Sequence, residues 1–252
     1  QPSPEPFGDQ LEYEKIRYIG YTDESFTTQV AQPEWLGILG PTIRGVVGDT
    51  LKVTFLNRTD RHLSIHPHGV RYDKDNEGAS YGPNSGAGAE VAPEARFTYT
   101  WEVDAGAGPA PGEPSSKVWL YHSHVDEVQD VLDGLVGTII VTDSAKARAD
   151  GTPDDVDREL ITLFLIFDEN AESGGHGGGE GPDEAPTAEE MEGNLKHSIN
   201  GLIFGNLRGL EMNKGDRVRW YVLGLGDEAD LHTPHWHGET LLLDGRSRTD
   251  VV

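Results

Sequence analysis

KVWLYHSH, Lys117 to His124, alternates strictly: Val118, Leu120, His122 and His124 fall on one side, and Trp119, Tyr121 and Ser123 on the other. A period of two is the signature of a β-strand, in which successive side chains point to opposite faces. The strand therefore ends in two imidazoles on one face, about 6–7 Å apart at the rise of an extended chain. Outward from it the same period recurs. In GDTLKVTFLN (48–57) Leu51, Val53 and Phe55 alternate with polar partners, FTYTWEV (97–103) does likewise, and GLVGTIIVTD (134–143) closes the group. Helix-period runs are scarce, and 32 Gly and 15 Pro punctuate the short apolar segments, which is how antiparallel sandwiches and barrels read. The expected fold class is all-β.

With 252 residues there is room for two domains, each with its own core. The polar run SAKARADGTPDDVDR (144–158) has the composition of a linker, and LITLFLIF (160–167) is an unbroken apolar run suited to a strand buried on both faces. The halves also repeat each other. VGDTLKVTFLN followed by HPHG is echoed by KGDRVRWYVLG followed by HWHG, with eighteen residues from Gly48 to His66 and twenty from Gly215 to His235. This predicts two related β-domains, 1–144 and 159–252, joined by 145–158. Within the second, 168–194 is rich in Gly and acid and has little to bury, so it reads as a solvated loop with His176 a bystander in it.

The formal charge of −24 repels phosphate backbones and anionic membrane surfaces, which excludes nucleic acid as a natural partner and favours solubility in salt or outside the cell. No apolar run reaches the ~18 residues of a membrane span. The opening QPSPEPFGDQ carries neither Met nor a hydrophobic signal segment, so a processed, secreted or periplasmic chain is expected. There is no cysteine, hence no disulfide and no thiolate for a metal.

His-x-His occurs three times, at His66 and His68, His122 and His124, and His235 and His237. One such pair is as readily a chance surface feature as a ligand set. Three pairs, two at equivalent places of a repeat, point to metal binding. Neutral imidazole suits zinc, copper, iron and nickel alike, so spacing does not choose the metal.

HPHGVRYDKDNEG, VWLYHSHVDEVQDVLDGLVG, FLIFDEN, HSINGLIFGN and DLHTPHWHG together resemble the multicopper oxidases, with wording similar to ceruloplasmin and a length similar to the two-domain small laccases. The resemblance implies two tandem cupredoxin-like Greek-key β-barrels, a type 1 copper that takes electrons from a reductant, and a trinuclear cluster that reduces dioxygen to water. It makes His66 and His235 ligands of the type 2 copper, His68, His122, His124 and His237 ligands of the type 3 pair, and His232 the type 1 histidine. Domain 1 should carry no type 1 site, because Leu63 stands where His232 stands in the repeat, His62 is one place off, and Ser123 replaces the cysteine. A His-Cys-His segment of the family is not in the sequence, so the second barrel is expected to be incomplete and the type 1 site only partly encoded. Tyr72 and Glu77 match a tyrosine and an acidic residue beside the cluster in the small laccases, where the acid helps deliver protons; a turn tyrosine and a surface acid are the alternative.

Three functions follow as expectations. The first is a laccase-like oxidase of phenols or aromatic amines that uses dioxygen. The second is a ferroxidase of ceruloplasmin type, with Glu228 and Asp230 ahead of His232 available to a cationic reductant. The third is a non-catalytic cupredoxin scaffold, against which the intact His pairs argue. The small laccases share each cluster between subunits, which implies a homotrimer with small-molecule partners.

Overall fold

The structure is a computed structural model and describes residues 13–170, 187–226, 231–243 and 247–249. Residues 171–186, with His176, and Glu228 and Asp230 lie outside the described residues.

The alternating stretch forms β5 (Ser116–His122), antiparallel to β6 (Val136–Thr142) on one edge and to the two-residue β3 (His66–Pro67) on the other. β1 (Ile43–Val46) runs parallel to β6, so the sheet order is β1-β6-β5-β3. Facing it is a ribbon of β2 (Thr50–Leu56) and β4 (Arg96–Glu102), in antiparallel register from Thr50 opposite Glu102 to Leu56 opposite Arg96. Between the two lies the first core, built on Tyr99, Trp101, Leu63, Tyr121, Ile139 and Val141.

Later residues form a second unit. β7 (Arg158–Asp168) is the central strand of three, antiparallel to β8 (Leu195–Ile199) and parallel to β9 (Val218–Gly224). β10 (Leu241–Leu243) and β11 (Ser247–Thr249) make a separate hairpin. Among the described residues, strands of 43–142 pair only with one another, and so do those of 158–249. Two short helices, α1 (Glu127–Asp133) and α2 (Ala188–Gly193), are absent from the sequence reading, because six or seven residues are too few to display a helical period. Gly134 ends α1 at φ 112, and a Cβ there would meet the Ile16 carbonyl oxygen at 2.7 Å, so only glycine fits. The chain is all-β and cupredoxin-like, as expected.

The internal repeat reappears as a repeated turn. Gly48 and Gly215 both take positive φ, 103° and 99°. The carboxylate of the following Asp accepts a backbone N–H in each copy, Val46 to Asp49 at 2.9 Å and Asn213 to Asp216 at 3.0 Å. These turns launch β2 and β9.

β5 and β6 are apolar on both faces because both faces are covered. Trp119 and Tyr121 point into the first core, while Val118 and Leu120 pack on a second core with Val136 and Ile140 from the same sheet and Ile161, Leu163, Leu165 and Phe167 from β7. The second core thus joins the two units within one chain. Asn200 fastens it: its side-chain amide donates to the carbonyls of Trp35 at 2.7 Å and Ile161 at 2.9 Å, and its side-chain oxygen accepts from the Leu163 N–H at 2.7 Å. Next to it Tyr221 shares its hydroxyl with Ser116 and donates to Glu159, and Arg219 donates to both Ser115 and Ser116 and pairs with Asp155. The polar run between the units is itself ordered, since the Arg148 guanidinium donates to the carbonyls of Pro153, Asp154 and Val156. None of the helices among the described residues is long and apolar enough to cross a membrane.

Candidate metal centre

The site lies at the edge of the first sheet, where β3 meets the end of β5. Antiparallel register places His66 directly opposite His122, and the His68 N–H continues the ladder to the Leu120 carbonyl at 2.9 Å. Two His-x-His pairs on adjacent strands therefore converge. His66 is the hub: its ring centroid lies 5.1 Å from His68, 5.6 Å from His122 and 5.1 Å from His124. His68 and His122 are 5.1 Å apart with their Nε2 atoms facing at 2.9 Å.

Backbone carbonyls aim the rings. Nδ1 of His66 donates to the Glu77 carbonyl at 2.6 Å and Nδ1 of His122 to the Ser123 carbonyl at 2.8 Å, which leaves Nε2 of each with its lone pair directed into the group. Burial pushes the imidazoles of His66, His68 and His122 below the usual histidine range, and their mutual repulsion adds to it. Neutral imidazoles are what a metal requires.

Gly69 permits the approach. It has φ 75, and a Cβ there would fall 2.0 Å from the Trp119 ring, so the indole packs directly under the backbone that carries His68.

The other predicted residues fall as follows. Tyr72 stacks edge-on against His66, 5.8 Å between centroids. Glu77 holds His66 through its backbone, while its carboxylate binds Lys74 at 3.0 Å and the Tyr81 hydroxyl at 3.1 Å. Partial burial pushes that carboxyl up, but Lys74 and Tyr81 outweigh burial and keep it below the ordinary range. In the second unit His235 and His237 are exposed, 5.9 Å apart, with Trp236 half-buried between them against Trp220 at 5.2 Å. His232 lies on Phe164 at 4.9 Å. Leu63 is buried in the first core and His62 points outward to Glu90 at 3.7 Å, so neither of these two positions places an imidazole in the first core beside Ser123.

Sequence reasoning missed Glu127, whose carboxylate lies 3.3 Å from Nε2 of His124 and 3.8 Å from Nε2 of His122. It also missed Tyr81, 6.4 Å from His124. The signal for Glu127 was its place three residues after His124, which a strand reading puts on the wrong face and a helical turn puts alongside.

Imidazole nitrogens sharing one metal at about 2.0 Å stand roughly 3 Å apart, which is the His68–His122 spacing. Among the described residues no three His, Cys, Asp or Glu side chains converge on one metal position. The chemistry of the donor set, imidazoles paired across two strands, fits a metal.

Residues 24–146 match the multicopper oxidase family model. The chain belongs to that family, and the family implies copper. Over 249 residues it is 40% identical to hephaestin of Mus musculus, covering 95% of this chain and 21% of hephaestin. Ceruloplasmin of Homo sapiens is 39% identical over 253 residues (94% and 24%), and ferroxidase HEPHL1 of Mus musculus is 37% identical over 252 residues (95% and 22%). The chain therefore spans about a fifth to a quarter of the length of these relatives. A solved structure described as a multicopper oxidase superposes with a TM-score of 0.56 at 23% identity, over 84% of this chain and 64% of that one.

Proposed function

We propose that this chain forms part of a copper-dependent oxidoreductase that couples one-electron oxidation of ferrous iron to four-electron reduction of dioxygen to water. The observation that carries the reading is the four-imidazole group, with two Nε2 atoms facing at 2.9 Å. His68 and His122 would hold one copper of a type 3 pair, His124 and His237 the pair's remaining positions, His66 and His235 a type 2 copper, and His232 a type 1 copper. Bound copper supplies the one-electron chemistry. The chain's own part is to aim the rings through the Glu77 and Ser123 carbonyls and to keep Tyr72 and Glu77 beside His66, where protons consumed with dioxygen must pass. Ferrous iron is favoured over the laccase-type reductants because a relative aligned over 95% of this chain bears the name ferroxidase and a surface of net charge −24 collects cations. A phenol or aromatic amine is the second reading, favoured by the exposed His232 lying on the Phe164 ring.

Residues 1–144 and 159–252 are proposed as the two cupredoxin domains, and the centre is proposed to be completed by a neighbouring subunit in a homotrimer outside the cytoplasm. What supports this is that the first unit offers two His-x-His pairs and the second unit one, while the contact between the units within one chain includes the apolar second core. The test is oxygen uptake by the copper-loaded complete protein with ferrous iron or a phenol as the reductant, alongside His66→Ala. We expect turnover with iron, and loss of copper and of turnover together in the variant. Full oxygen uptake by His66→Ala would overturn the assignment, and turnover with the phenol alone would select the second reading.

A further inference from the structure

Below the four imidazoles is a buried polar network that the proposed chemistry does not use. Ser64, Ser123 and Asp130 are each at most 1% exposed. Nothing in the first core demands them, since a buried polar group costs free energy unless it is fully paired. All three are paired, and to one another's segments. The Ser123 hydroxyl donates to Oδ2 of Asp130 at 2.5 Å and accepts the Ser64 N–H at 3.1 Å. The Ser64 hydroxyl accepts the His124 N–H at 3.0 Å. Asp130 is held from behind by the Asp126 N–H at 3.2 Å and by Arg61 at 3.4 Å.

The positions matter more than the count. Ser64 lies two residues before His66, and Ser123 lies between His122 and His124. β3 is only two residues long, so the ladder alone gives the His66–His68 segment little hold on β5. The two serines supply the missing ties, Ser64 N–H to Ser123 and His124 N–H to Ser64, and Asp130 fixes the Ser123 rotamer that makes the first one possible. Ser123 also offers the carbonyl that orients His122. A shift of either segment would change the 2.9 Å approach of His68 to His122.

We propose that Ser123 and Asp130 are positioning residues of the metal centre: their hydrogen bond, relayed through Ser64, locks the two His-x-His segments in register so that the imidazoles meet. The inference rests on the four histidines being copper ligands. A polar clamp at Ser123 thus holds the two His-x-His segments together.

The experiment uses the full chain and Cu(II) as the probe, with affinity measured by competition against a chelator and the electron paramagnetic resonance spectrum as a second readout. Parent, His66→Ala, Ser123→Ala, Asp130→Asn and Ser64→Ala are compared. Partners of ligand residues typically carry about 10–100-fold in metal affinity. We expect Ser123→Ala and Ser64→Ala each to weaken copper binding about tenfold or more and to broaden the spectrum. Asp130→Asn, whose side-chain oxygen still accepts from Ser123, should keep most of both. Parent-like affinity and spectrum in folded Ser123→Ala and Ser64→Ala would overturn the proposal. Should Ser123→Ala fail to fold, Ser64→Ala decides alone, because it deletes one tie and leaves the carboxylate paired. Copper binding by the parent that is indifferent to His66→Ala would instead refute the ligand assignment.

Discussion

Replacing Asn200 by Ala tests how the two units are fastened. Its side chain is fully buried and makes three hydrogen bonds, at 2.7, 2.9 and 2.7 Å, to backbone groups of Trp35, Ile161 and Leu163. Each is worth about 1 kcal/mol net, and the groups left behind have no water to turn to. The residue also sits at φ 53, where asparagine is tolerated and alanine is strained by about 1 kcal/mol. The sum is about 4 kcal/mol, and at roughly 2–4 °C per kcal/mol for a chain of this size the melting temperature should fall by about 8–16 °C. Asn200→Gly separates the two contributions, because it loses the same hydrogen bonds without the steric strain. Calorimetry on the three proteins should place Gly above Ala and both well below the parent. A drop of less than about 3 °C in Asn200→Ala would refute the view that this amide stitches Trp35 to the central strand of the second unit.

Gly69→Ala must displace either the Trp119 ring or the backbone bearing His68, since the added carbon would lie 2.0 Å from the indole at φ 75; a loss of about 3 kcal/mol in urea unfolding and weakened Cu(II) binding are expected, and parent-like copper affinity would show that His68 is not held by this contact. Leu163→Ala, at 1% exposure in the second core, should cost about 2–5 kcal/mol by the same assay, and a value below 1 would mean that the two units do not share a core. For pH, partial burial pushes the Asp155 carboxyl up but the Ser115 hydroxyl and Arg219 outweigh it, so its folded value is lowered. A lowered carboxyl contributes stability that is present above its unfolded value of about 3.9 and is lost as pH falls through the folded one. Asp155→Asn should therefore flatten the acid limb of a urea-midpoint profile below about pH 4, and an unchanged limb would count against the clamp.

The alternation in KVWLYHSH, the repeated Gly-Asp turn and the three His-x-His pairs were legible in the sequence because period, turn chemistry and ligand type are local properties. They were enough for the all-β class, the duplication and the candidate ligands. Sequence spacing could not show that His66 stands opposite His122, since register across strands is set by long-range pairing. It could not show that Val118 and Leu120 face a second core, because alternation tells which residues share a face and not what covers it. Glu127 was hidden for a related reason: strand ends at His122 and a helical turn follows, so the face on which a residue three places beyond His124 falls depends on where the strand stops. The network of Ser64, Ser123 and Asp130 was not legible: Ser123 stood out only for replacing a cysteine, serine and aspartate are ordinary surface residues, and only the packing of the first core, which removes water from them, turns their hydrogen bonds into a structural constraint.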